Sequence, residues 1–434
     1  MEIDLELKNL FQKIQEVPSV PFLTKLQTSY LKQFLDKLNI KYLDYGYSII
    51  IPPILYNNST PKLVLMCHTD HPGIVLKNNE EGVLMGLIGN APFKELLGKR
   101  QVGLKIYNPE GILAGKGLIT DIYGGPKQKV HIKTNLQVPL NSYGQFDIDY
   151  YSESESFFEV YNADDGISVA TMLKLLVDKV KSKFNVYYVF NLYEEVHQLS
   201  SWYLAKNNVL KLSEQDLIIN LECLKTESIS ESDFGKIDYE GGIVLQLSNN
   251  GCLFGYKNKG ANLSENFIKK IASDNGIRIQ LGVIKDSCDS RPFTQFSLTS
   301  NICTLTIPNK YKHNGSDDGL LRTEHILKRH IIDFYTVLTK ILSEDPTTLS
   351  KIADVESLSQ KLKQHDHITN YKLMKEKAIL NERLEIAYKD IVYRKHFFPV
   401  NIKELLIDLT FKYVSYLIYI YLKFLSLYER HLNK

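Results

Sequence analysis

The sequence predicts an α/β fold: a mostly parallel, mixed sheet flanked by helices, with an inserted small all-β domain and a C-terminal helical extension. Three observations carry that prediction. The runs LVLMC (63–67), KFNVYYVFNL (183–192) and DLIINLEC (216–223) are apolar without alternating, which suits strands covered on both faces, the setting of a parallel sheet. Helical spacing separates them, as in DGISVATMLKLLVDKVKS (165–182). From about 75 to 152 the texture changes to short alternating runs punctuated by Gly and Asn, the mark of a small all-β unit.

Taken in order, residues 4–16 and 21–39 space their apolar side chains as helices, and SIIIPP (48–53) and KLVLMCHTD (62–70) read as strands. GVLMGLIG, QVGLKIYN, EGILAGKGLITDI, KVHIKTNL and QFDIDYY supply the all-β strands, and the polar SESES (152–156) sets that unit off. A helix at 165–182, strands at 183–192 and 216–223, a helix at 264–275, strands at 278–284 and 301–307 and a long helix at 322–343 complete the α/β part. The expected domains are therefore 1–74 with 153–344 (α/β), 75–152 (inserted, all-β) and 345–434 (helical). In the extension, ESLSQKLKQHD, 368–394 and 401–431 read as helices. The longest uncharged run of the last, Tyr413 to Leu422, has ten residues, and a spanning helix needs about twenty. No transmembrane segment is expected, and the tail is expected to pack within the protein or between subunits of a homo-oligomer.

Composition narrows the function classes. The chain has 434 residues, 44% hydrophobic and 24% charged, with a net charge of +2. No strong field argues for nucleic acid. The five cysteines (67, 223, 252, 288, 303) are odd in number, scattered and without a CxxC pair. Reduced thiols in a cytoplasmic setting are expected. The opening MEIDLELKNLF lacks the apolar run of a signal peptide.

Candidate chemistry sits at strand ends. LVLMCHTDHPG (63–73) ends a buried strand in His68 and Asp70, which share a face because they are two residues apart. His68 suits a metal ligand with Asp70 orienting its ring; a turn Asp beside a core histidine also fits. YNADDGIS (161–168) sets Asp164 and Asp165 before a helix, where an ordinary N-cap is the alternative. FNLYEEVHQ (190–198) places Glu194 and Glu195 after a buried strand, where two like charges are costly without a cation. INLEC (219–223) ends a strand at Glu222, and IPNKYKHNGSDDG (307–319) puts His313 in a loop. Cys67 and Cys223, beside proposed ligands, read as small core residues. His68, Asp164, Glu195, Glu222 and His313 form a set of imidazoles and carboxylates suited to two divalent ions sharing one carboxylate: zinc, with cobalt or manganese also accepted. Two such ions lower the pKa of a shared water and polarise a carbonyl, and Glu194 would carry the proton to the leaving amine. The chemistry expected of such a centre is amide hydrolysis.

Over about residues 1–343 the chain resembles the tetrahedral (TET-type) glutamyl and deblocking aminopeptidases, a family of co-catalytic dinuclear zinc peptidases. The resemblance rests on HTDHPG (68–73), Asp164-Asp165 opening a helix, Glu194-Glu195-Val196, the acid Glu222, SCDS (287–290) with Asp289, and IPNKYKH (307–313). The insertion of a β domain between the first two ligands also matches that family; the carboxypeptidase and aminoacylase relatives insert theirs later. The resemblance implies His68, Asp164, Glu195, Glu222 and His313 as ligands, Asp164 bridging, Glu194 as general base and acid, Asp70 orienting His68, and peptides as substrates. His71, Gly166, His197 and Glu222 depart from the family's usual Glu, Arg, Gly and Asp. His71 and His197 could add metal or substrate contacts. A related amide hydrolase (dipeptidase, carboxypeptidase or deacylase) and a non-catalytic scaffold are the alternatives.

Overall fold

The computed structural model describes residues 2–86, 102–123, 129–226, 231–232, 235–249, 252–253, 262–282, 287–316, 320–353 and 355. The chain divides into two compact units, Met1–His367 and Ile368–Lys434. The expected tail helices at 356–366, 368–394 and 401–431 lie outside the described residues.

Asp4 caps the first helix, Leu5–Gln15, by accepting from the N–H groups of Glu6 and Leu7. Its face of Leu7, Leu10, Phe11 and Ile14 is buried against the helix Gly166–Val177. A second helix, Thr24–Lys37, follows.

Four parallel strands form the centre of the large sheet, in the spatial order Asn185–Asn191, Lys62–His68, Leu217–Lys225 and Ile302–Lys310. Every residue of Lys62–His68 is buried, as its unalternating apolar run requires of a strand covered on both faces. The register sets Asn191 beside His68 and Glu222 beside Thr306. The acidic and imidazole residues therefore meet at the carboxyl rim of the parallel strands, where open α/β sheets bind ligands. Antiparallel strands finish the edges: Ser48–Ile51 beside Asn185–Asn191, and Glu324–Leu327, Phe157–Val160 and Tyr151–Glu153 in succession on the other side.

The all-β unit closes into a six-stranded antiparallel barrel of Gly73–Leu76, Glu81–Met85, Lys129–Lys133, Leu113–Tyr123, Val102–Tyr107 and Tyr143–Phe146. Ile74, Leu76, Leu104, Ile106, Ile119, Val130 and Phe146 fill its interior. Gly73 is required where the barrel leaves the sheet: a Cβ there would lie 2.6 Å from Val20 Cγ1 and 2.9 Å from the Gly144 carbonyl oxygen.

The structure moves several sequence expectations. Glu324–Leu327 is a strand, so the long helix starts at Lys328 and not at 322; pairing with Phe157–Val160 overrides the helical spacing of this stretch. Tyr151–Glu153 joins the large sheet, not the barrel. The helix Leu199–Lys206 had no sequence counterpart. No helix among the described residues is long and apolar enough to cross a membrane.

His330, fully buried on the helix Lys328–Ser343, has no hydrogen-bond partner at either ring nitrogen among the described residues. Burial, with Arg329 adding, pushes its imidazole down to about 4. The unfolded chain then takes the proton first as pH falls from about 6.5. Stability is intact above that pH and is lost toward pH 4, by up to about 3 kcal/mol from this group. Urea midpoints at pH 7 and pH 4.5 are expected to differ less in His330→Phe than in the parent; an equal difference would clear His330 of the acid sensitivity.

Candidate metal centre

The structure brings all five proposed ligands together. His68 Nε2 lies 3.3 Å from Asp164 Oδ1 and 3.4 Å from Glu222 Oε1. His313 Nε2 lies 3.0 Å from Asp164 Oδ2 and 2.9 Å from Glu195 Oε1. Asp164 thus turns one oxygen to each imidazole, with Glu222 on one side and Glu195 on the other.

Local backbone explains the aim of each group. His68 ends its strand, and its Nδ1 donates to the Asp70 carbonyl oxygen at 3.0 Å. That bond leaves Nε2 as the nitrogen facing the carboxylates. The Asp70 carboxylate is farther from the ring, 3.6 Å. It instead accepts from the backbone N–H of Glu194 (2.9 Å) and Glu195 (3.1 Å). Asp70 therefore orients His68 through its carbonyl and fastens the Glu194–Glu195 loop through its side chain. His197 and Gln198, at φ 70° and 52°, turn the chain after that loop. Asp165 occupies the N-cap of Gly166–Val177 but makes no side-chain cap hydrogen bond, so the N-cap alternative fails for it. At Gly166 a Cβ would meet Gln15 Nε2 at 3.1 Å and Ile14 Cγ2 at 3.2 Å, so any larger residue there requires those side chains to shift.

The donor set fits divalent ions. Among the described residues, both oxygens of Asp164 and Oε1 of Glu195 are buried without a formed hydrogen bond. Ligands held at about 2.0–2.2 Å in a tetrahedron stand about 3.3–3.6 Å from one another, close to the separations around His68. Single ligand atoms of His68, Asp164 and Glu195 all lie within 4.8 Å of one another, as do those of Asp164, Asp165 and Cys223. Imidazole with carboxylate suits zinc, cobalt or manganese.

Electrostatics mark the same cluster. Burial raises the Glu194 carboxyl well above the usual range; His68 opposes the rise, while Glu195, Glu222 and Asp289 add to it. Gln198 Nε2 donates to Glu194 Oε1 at 3.0 Å. Burial likewise pushes Glu222 up to about 7, against the pull of Lys312. Cys67 and Cys223 are buried, with their thiols pushed up by burial.

The two departing histidines separate. His71 is buried; its Nδ1 donates to the Asp164 carbonyl oxygen at 2.8 Å, and its Nε2 lies 2.9 Å from Asn314 Oδ1. It braces the Asp164 loop against the His313 loop, and both nitrogens are engaged. His197 is exposed. Asp289 is buried and accepts from Asn191 Nδ2 at 2.8 Å, behind the cluster.

Two residues escaped the sequence reading. Lys312 Nζ reaches Asp164 Oδ2 (3.2 Å), Glu222 Oε1 (3.4 Å) and the Cys223 carbonyl oxygen (2.9 Å); its only signal was adjacency to His313. Glu324 is fully buried. Its Oε2 accepts from the N–H groups of Ala163 (2.6 Å) and Asp164 (2.9 Å), and its Oε1 from that of His313 (2.6 Å). It ties Asp164 to the His313 loop and carries no sequence signal. Glu324→Ala would strand three backbone donors; a loss of roughly 3–5 kcal/mol of unfolding free energy is expected, read by urea denaturation. A loss below 1 kcal/mol would mean that water replaces the clamp.

Residues 116–317 match the M42 glutamyl aminopeptidase family. No curated protein matches the chain. Among solved structures, an aminopeptidase from the archaeon Desulfurococcus kamchatkensis superposes with a TM-score of 0.63 at 15% identity, covering 80% of this chain and 98% of its own. A TET aminopeptidase from a marine-sediment Thaumarchaeota archaeon gives 0.62 at 13% identity, over 80% and 99%. The TET1 peptidase of Pyrococcus horikoshii, which assembles into a tetrahedron or a large octahedral shell, gives 0.59 at 16% identity, over 78% and 100%. These structures share the fold, and the segment that matches the family model carries Asp164, Glu195, Glu222 and His313.

Proposed function

We propose that the chain is a metal-dependent aminopeptidase that removes N-terminal residues from peptides. The observation that carries this reading is Asp164 turning Oδ1 to His68 and Oδ2 to His313. His68 and Glu222 would hold one divalent ion, Glu195 and His313 a second, with Asp164 shared; zinc is the ion proposed. Bound there, the ions supply Lewis-acid polarisation of the scissile carbonyl and acidify water. The protein's own residues do the rest. Glu194 takes the proton of the attacking water at its carboxylate and returns it to the departing amine nitrogen. Asp70 holds Glu194 by its backbone N–H, and the Asp70 carbonyl holds His68 in the tautomer that presents Nε2.

The wider reading follows the family. Residues 1–74 with 153–344 would form the catalytic domain, 75–152 the insert, whose barrel strands run from Gly73 to Phe146, and 345–434 the extension, of which 345–367 lie in the first compact unit. A homo-oligomer is proposed, supported by the assembly of the TET1 peptidase. Cys67, Cys223 and Cys303 are free, buried thiols, which supports a reducing, cytoplasmic setting.

The test is a peptide mixture with free, acetylated and C-terminally amidated members, incubated with zinc- or cobalt-loaded protein and read by mass spectrometry. Stepwise loss of N-terminal residues, from amidated peptides too, is expected. Loss of acetyl groups or of C-terminal residues would overturn the aminopeptidase assignment in favour of a related amide hydrolase.

A further inference from the structure

The last residue of the helix Leu5–Gln15 reaches the backbone beside Asp164. Gln15 is buried, and its amide pairs with one residue: Nε2 donates to the Asn162 carbonyl oxygen at 2.6 Å, and Oε1 accepts from the Asn162 N–H at 2.8 Å. Asn162 precedes Asp164 by two residues, and its Oδ1 accepts from the Gly166 N–H at 3.3 Å. Gly166 gives this pairing its room: a Cβ there would lie 3.1 Å from Gln15 Nε2. The same stretch of chain holds the loop that follows His68. Gln27, buried on Thr24–Lys37, donates from Nε2 to the Thr69 carbonyl oxygen at 3.0 Å, and the Ser19 carbonyl oxygen accepts from the His71 N–H at 2.7 Å. These groups are neutral, so they hold both loops without adding charge to the carboxylate cluster. Each bond is buried, and losing one partner strands the other.

We infer that Gln15, seated in the space that Gly166 leaves, is a positioning residue of the metal centre, and that with Gln27 it sets the spacing between the His68 loop and the Asp164 loop. His68 Nε2 and Asp164 Oδ1 stand 3.3 Å apart, and they come from loops far apart in sequence, so neither loop fixes that separation alone. His71 joins the two from within, through the Asp164 carbonyl oxygen; residues 15–27 grip both from outside. Without the Gln15 amide, the Asn162 backbone loses its donor and its acceptor together, and Asp164 is free to shift against His68. Partners that hold ligands in this indirect way tune the affinity of a metal site. The inference rests on the metal reading above.

The experiment is a cobalt(II) titration of the full chain, followed by calorimetry and by the visible absorption of the saturated protein, with thermal unfolding beside it. Gln15→Met keeps the length of the side chain and loses both bonds to Asn162. It is expected to weaken cobalt binding by roughly 10–100-fold and to change the saturated spectrum, because Asp164 moves relative to His68. Gln27→Met is expected to change both in the same direction from the other loop. Gly166→Ala presses a Cβ on Gln15 Nε2; it is expected to weaken binding in the parent and to weaken it less in Gln15→Ala, where that atom is gone. Gly166→Ala and Gln27→Met leave Gln15 in place, so they decide the matter if Gln15→Met does not fold. Variants that melt at a lower temperature yet keep the parent's cobalt affinity and spectrum would overturn the inference, since a merely structural role predicts that result, and the metal reading would stand. A parent that binds one ion, shifted by these variants, would overturn the dinuclear reading and leave the inference standing. A parent that binds no cobalt at millimolar concentration would overturn both.

Discussion

Glu194→Gln is expected to lower kcat by roughly 10²–10⁴-fold, the range for losing a positioned general base, with metal content unchanged. The substitution keeps the side chain's volume, and its amide oxygen can still accept from Gln198 Nε2, which lies 3.0 Å from Glu194 Oε1. The backbone N–H remains held by Asp70, so the loop carrying Glu195 stays in place. KM is expected to change little, because the lost interaction belongs to the proton transfer and not to substrate binding. Metal analysis beside the kinetics decides the matter. Full activity with both ions bound would remove Glu194 from the mechanism; lost activity with lost metal would make Glu194 a ligand.

Asp164→Asn is expected to cost both ions. The other proposed ligands face one imidazole or the other, whereas Asp164 faces both. An amide keeps one oxygen acceptor but loses the charge and the second acceptor, so neither half keeps its ligand set. The activity loss should exceed the roughly 10–100-fold that outer partners of a metal site cost. The parent should gain thermal stability on adding zinc, because metal binds the folded state, and Asp164→Asn should gain little. Glu222→Gln is the contrast: it faces His68 alone, so the ion of the Glu195–His313 half should remain. Retention of two ions by Asp164→Asn would show that the halves are independent and that Asp164 bridges nothing.

Much of the site was legible because the proposed ligands sit at ends of strands that announce themselves. Lys62–His68 and Leu217–Lys225 are apolar runs that only a doubly covered strand explains, and His68 and Glu222 lie within or at the end of those runs. Asp164 and the Glu194–Glu195 pair stand out as adjacent carboxylates next to apolar segments. Glu324 did not stand out. Its partners Ala163 and Asp164 lie 161 and 160 residues away and offer it backbone N–H groups, which every residue type possesses. Asp70 shows the intermediate case: its place beside His68 was readable, but the division between its carbonyl on the ring and its carboxylate on Glu194 and Glu195 depends on where the loop after Asn191 lands.

The sequence by itself determined the α/β class, the all-β insertion after His68 and the inventory of imidazoles and carboxylates at strand ends, because periodicity and burial are local properties of the chain. Tertiary structure alone decided three things: that Glu324–Leu327 pairs as a strand, that Glu324 and His71 lock the Asp164 loop to the His313 loop, and that Lys312 shares the cluster with His313. Each depends on contacts between segments far apart in sequence or on a few left-handed backbone angles, and no pattern of residue types encodes either.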